Sequence, residues 1–102
     1  EPRLADAIKI METHIDRPIP VSSIARRLAL STRSLELLFA NVIGQSPGNY
    51  YLSLRLKAAR RLILDTHLSM ADTAEQTGFS SISSLSRAFK RHFGQSPSKL
   101  RQ

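Results

Sequence analysis

Apolar residues in this chain recur at helical spacing. Leu4, Ala7, Ile8 and Met11 fall three and four apart and define one buried face. The same interval links Leu35, Leu38, Phe39 and Val42, then Leu52, Leu56, Ala59 and Ile63, then Leu85, Ala88, Phe89 and Phe93. No stretch alternates with period two for long enough to make a strand, so the expectation is an all-α fold. Punctuation divides it into seven helices. The first covers residues 4 to 16 and is ended by Pro18 and Pro20. A second short helix covers 21 to 28. Ser31 caps a third, 32 to 43, which Gly44 stops. Ser46-Pro47 reads as N-cap plus N1 proline of a long fourth helix reaching Asp65. Ser69 caps a fifth over 70 to 77, ended by Gly78; a sixth spans 81 to 93, ended by Gly94; and Ser96-Pro97 opens a short seventh.

The third and sixth helices belong to a repeat. Ser34-Leu35…Phe39…Gly44-Gln45-Ser46-Pro47 returns fifty residues on as Ser84-Leu85…Phe89…Gly94-Gln95-Ser96-Pro97. Two copies are too few for a solenoid, so the reading is one supersecondary unit used twice. Each copy has the parts of a helix-turn-helix: two short helices, a tight turn, a small residue where they approach and apolar anchors. The first unit offers Ala25 with Ile24, Leu28, Leu30, Leu35 and Leu38, and the second offers Ala74 with Phe79, Leu85, Ala88 and Phe89. Ala29 stands where the second unit has Gly78, so a left-handed turn there would be strained. The expected architecture is two helix-turn-helix subdomains (about 4–45 and 67–102) joined by a linker helix (46–66). At about 1.5 Å per residue that linker spans roughly 28 Å and acts as both spacer and core element.

Charge adds a partner to this picture. Fifteen Lys+Arg against eight Asp+Glu give +7 and a pI near 10.9, which favours a polyanion. No acid falls between Leu37 and Leu64 or after Gln76, while Arg55, Lys57, Arg60, Arg61, Arg87, Lys90, Arg91, Lys99 and Arg101 do.

The second unit, Ala74…Gly78-Phe79-Ser80-Ser81…Ser84-Leu85-Ser86-Arg87-Ala88-Phe89-Lys90…Phe93-Gly94-Gln95-Ser96-Pro97, resembles the signature of the AraC/XylS regulators, and the resemblance runs from about Ala5 to Arg101. It implies binding to double-stranded promoter DNA in the bacterial cytoplasm, at the nucleoid when bound. It also implies fusion to a sensor or dimerisation domain, and contact with RNA polymerase where the full protein is an activator. The stretch Tyr50-Tyr51-Leu52-Ser53-Leu54-Arg55-Leu56 is similar to members whose sensor resembles a glutamine-amidotransferase-like domain.

Removing the inward anchors leaves Thr32, Arg33, Glu36 and Leu37 of the third helix as base-contact candidates. Arg33 suits guanine O6 and N7, Glu36 either accepts from cytosine N4 or repels phosphate, and Leu37 fits a thymine methyl. Leu37 departs from the basic residue frequent in the family, which implies weaker reading by the first unit. On the sixth helix Ile82, Ser83, Ser86 and Arg87 match the family's groove-facing positions by resemblance. Arg26, Arg27, Asn41, Ser46, Lys90, Arg91, Ser96, Lys99 and Arg101 are phosphate candidates, the serines because they open helices whose N–H groups and dipoles favour anions.

Other function classes fare worse. His14, His67 and His92 stand apart without carboxylate or cysteine partners at ligand spacing, and no nucleophile motif or phosphate-binding glycine loop appears. No enzyme, metal or cofactor is expected. No apolar run reaches the roughly 20 residues of a membrane span. The alternative kept open is a helical protein–protein interaction module.

Overall fold

The computed structural model describes residues 1–101. It contains α1 (Pro2–Thr13), α2 (Val21–Arg27), α3 (Thr32–Val42), α4 (Pro47–Asp65), α5 (Met70–Gln76), α6 (Ile82–Phe93) and α7 (Pro97–Arg101), with no strand among the described residues. Two compact units result. The first holds Glu1–His14 and Pro18–Leu52, and the second holds Ile15–Arg17 and Ser53–Gln102, so the boundary falls inside α4.

In the first unit, the Glu1 carboxylate caps α1 by accepting from the Arg3 backbone N–H at 2.6 Å. That bond, and next the Arg3 guanidinium, hold the carboxyl below its usual range. Leu4, Ala7 and Met11 are buried as their spacing predicts, while Ile8 is only half-buried. The helix stops at Thr13, earlier than the two prolines require. The Thr13 hydroxyl donates to Ile10 O at 2.9 Å, and His14 leaves helical geometry at φ −127°, ψ 50°. The buried Tyr51 then fastens the following loop: its hydroxyl donates to His14 O (2.5 Å) and accepts from Ile19 N–H (3.2 Å).

α2 and α3 are joined by a turn whose pivot, Ala29, has φ 57°. The strain expected of an alanine there is present. Leu30 N–H donates to Ala25 O at 2.9 Å, closing the turn over the buried Ile24 and Ala25. Ser31 caps α3 by accepting from Ser34 N–H at 3.0 Å. Leu35 and Phe39 are fully buried, Phe39 against Tyr50 with ring centres 5.7 Å apart. Val42, expected inward, is instead 57% exposed. It is the last residue of α3, just before the C-cap Ile43.

The second unit repeats the plan with one added residue. Phe79 N–H donates to Ala74 O at 2.9 Å as Leu30 does to Ala25, and Gly78 takes the positive φ (81°). Up to this point the two copies are offset by 49 positions. From Ser31 and Ser81 onward the offset is 50, because Ser80 lengthens the second turn. Ser81 caps α6 through Ser84 N–H at 3.0 Å, and Leu85 and Phe89 fill the core. Gly94 ends α6 at φ 84°, where an added Cβ would meet nothing; its role is conformational. Within α4, Leu56, Ala59 and Ile63 are buried as expected, and Leu52 is half-buried.

Candidate nucleic-acid interface

The burial of Leu35 and Phe39 fixes which face of α3 meets solvent. Thr32, Arg33, Glu36, Leu37, Ala40 and Asn41 are all exposed, Leu37 by 49%. On α6 the same six register positions are Ile82, Ser83, Ser86, Arg87, Lys90 and Arg91. All are exposed except the half-buried Ser86, and Ile82 is 46% exposed. Every base-contact candidate therefore lies on the outer stripe of its own unit, beginning at the capped N-terminal turn. Side-chain reach into a groove requires that placement.

The two stripes differ in charge. That of α3 carries one cation, Arg33, and one anion, Glu36; that of α6 carries Arg87, Lys90 and Arg91 with no anion. Arg33 and Glu36 are one turn apart yet form no ion pair, and Arg87 is likewise unpaired among the described residues. Both therefore keep their hydrogen-bonding capacity. Arg33, Glu36, Leu37 and Ala40, with Gly44, Gln45 and Ser46, also line an open groove of about 420 Å³.

The phosphate candidates divide more sharply. Arg26, Arg27, Asn41, Lys90, Arg91 and Lys99 are exposed. The Ser46 and Ser96 hydroxyls accept from Asn49 and Lys99 N–H at 3.1 and 3.3 Å, so they cap their helices first. Arg101 must be corrected. Its guanidinium donates to Ile63 O at 3.2 Å, to Leu62 O and Thr66 O at 3.4 Å, and to Leu68 O, which commits it to carbonyls of the last turn of α4 and of the loop just after it. A cation at a helix C-terminus is also favoured by the dipole. Arg55, counted above only as a basic residue, has a comparable structural task. Its Nε donates to Thr77 O at 2.9 Å and its Nη2 to Gly78 O at 2.6 Å, with the guanidinium 4.3 Å from the Phe79 ring centre. The signal was in the register: Arg55 lies four residues from both Tyr51 and Ala59, which are buried.

Among the described residues no group of His, Cys, Asp and Glu is arranged to hold a metal ion, and no helix is long and apolar enough to cross a membrane.

The sequence and fold both have known counterparts. A helix-turn-helix domain family matches residues 24–102. The chain belongs to the AraC/XylS family of transcription regulators. Among AraC/XylS relatives, the regulator GlxA of Rhizobium meliloti is 41% identical over 101 residues, covering 99% of this chain and 31% of GlxA. ArgR of Pseudomonas aeruginosa is 35% identical over 96 residues, covering 94% of this chain and 29% of ArgR. The chain thus spans about a third of the length of the curated relatives it matches. A solved AraC-type regulator structure from Chromobacterium violaceum superposes with a TM-score of 0.93 at 37% identity, covering 98% of this chain and 89% of that one. The DNA-binding domain of AdpA, solved in complex with a target DNA, gives 0.91 at 27% identity, covering 97% of this chain and 89% of that one.

Proposed function

We propose that this chain reads double-stranded promoter DNA for a bacterial transcription regulator, with α3 and α6 each entering a major groove. The observation that carries the reading is the matched pair of exposed stripes, each presented after the same capped turn and backed by the same buried Leu and Phe. The AdpA domain, bound to its own target DNA, has this fold and supports the assignment. Arg87 takes guanine in bidentate fashion, and Arg33 does so in the first unit beside Glu36 and Leu37. Lys90, Arg91, Lys99, Arg26 and Arg27 neutralise phosphates. The 19 residues of α4 span about 28 Å at ~1.5 Å each, of the order of one DNA turn, which suits successive grooves. The role is binding rather than catalysis.

The longer relatives support a sensing or dimerising domain elsewhere in the full protein, with RNA polymerase as partner if that protein activates. A cytoplasmic location follows from the same reading.

Gel shifts comparing duplex DNA, duplex RNA and single strands test the assignment, with salt varied. About six phosphate contacts give a log–log salt slope near −5 on duplex DNA. A slope near zero, or equal retention of duplex RNA, defeats the reading.

A further inference from the structure

We propose that Arg55 is a positioning residue that seats α6 and thereby selects which bases α6 reads. The proposal rests on the DNA-reading assignment above. α5 ends at Gln76 and α6 begins at Ile82, so the intervening turn leads directly into the recognition helix. That turn exposes carbonyls at the negative end of the α5 dipole, where a cation is favoured. Arg55 meets two successive ones, Thr77 O and Gly78 O, with two donors of one rigid fork, and stacks its plane on Phe79. Phe79 and Thr77 are buried, so the clamp fixes the turn between two anchored residues. A lysine in its place presents one point charge and cannot hold both carbonyls or stack as a plane.

The first unit provides the contrast. The carbonyls of Leu28 and Ala29 in its equivalent turn receive no side-chain hydrogen bond among the described residues. The unit bearing the three-cation stripe is thus the one whose recognition helix is clamped at its entrance. Base readout tolerates little displacement, because a bidentate arginine–guanine contact needs both hydrogen bonds at once.

The test uses the 102-residue chain as wild type, Arg55→Met, Arg55→Lys and Arg87→Ala, each used to select sequences from a random duplex pool. Circular dichroism sets a temperature at which every variant compared is folded. Arg87→Ala identifies the block of bases that α6 reads. Arg55→Met is expected to lose information in that same block while keeping the other. It should weaken binding to the wild-type-selected duplex about 5- to 150-fold, the size of one lost bidentate contact. Arg55→Lys should fall between, and it carries the comparison alone if the methionine variant does not fold. Amide shifts of residues 78–87, recorded without DNA, should move in Arg55→Met and partly recover in Arg55→Lys. A variant that melts earlier yet selects both blocks unchanged makes Arg55 a stabiliser only and overturns the proposal. If the wild type selects no sequence, the DNA-reading assignment fails instead. The amide shifts then decide: movement confined to Phe79 overturns the seating of α6, and movement through Arg87 upholds it.

Discussion

Replacing Ala29 by glycine should stabilise the first unit, against the usual expectation that glycine weakens a fold. Ala29 sits at φ 57°, where a Cβ crowds the following carbonyl at a cost of about 1–2 kcal/mol. Glycine relieves that strain but loses about 0.5–1 kcal/mol more conformational freedom on folding than alanine. The alanine methyl is exposed, so little burial is forfeited. The balance is a gain of roughly 0.5–1 kcal/mol. Both tyrosines of the chain lie in the first unit, and there is no tryptophan, so tyrosine fluorescence reports on that unit directly. Tyr50 against Phe39 and the buried Tyr51 make the signal sensitive to its core. With a urea slope of about 1 kcal/mol/M for so small a unit, the midpoint should rise by roughly 0.5–1 M. Gly78→Ala, at φ 81° in the second unit, should shift stability the other way. An unchanged or lowered midpoint for Ala29→Gly refutes the strain argument.

Further outcomes concern the reading faces. Arg87→Ala should lose about 1–3 kcal/mol on a selected site and relax base choice at one position, whereas an equal loss on random duplexes would make it a phosphate contact. Glu36→Gln should strengthen binding to random DNA and blur discrimination by the first unit, because it removes the lone anion from the α3 stripe; competition assays with specific and random duplexes check both effects. Arg101→Ala should lower the melting temperature and leave the salt slope unchanged, while Lys90→Ala should reduce that slope by about one. Ala59→Pro, at a fully buried site inside α4, should cost about 3 kcal/mol or more and abolish two-block protection in a footprint.

Much of the fold was legible because its signals are local. Ser31, Ser46, Ser69 and Ser96 cap the helices they were expected to cap, and Gly78 and Gly94 adopt positive φ where the helices end. The repeat revealed the paired architecture. What escaped depends on contacts distant in sequence. The end of α1 is set by Thr13, His14 and a hydroxyl from Tyr51, so the prolines marked the stop too late. Val42 obeyed the helical period, but periodicity alone does not show whether the last turn of a helix is covered. Arg101 looked like any terminal cation, since four carbonyls brought near by folding cannot be read from residue type. The outer faces of α3 and α6 emerged by subtraction, because removing the buried Leu and Phe leaves only one set of positions.

The duplicated scaffold has diverged along its outer stripes: where one copy carries Arg33, Glu36 and Leu37, the other carries Ser83, Ser86 and Arg87. With two unlike stripes in one chain, the proposed reading by a single chain needs no palindrome. If the two stripes read DNA as proposed, the element they recognise has a left and a right, so inverting it relative to the gene would present a different signal to the same protein.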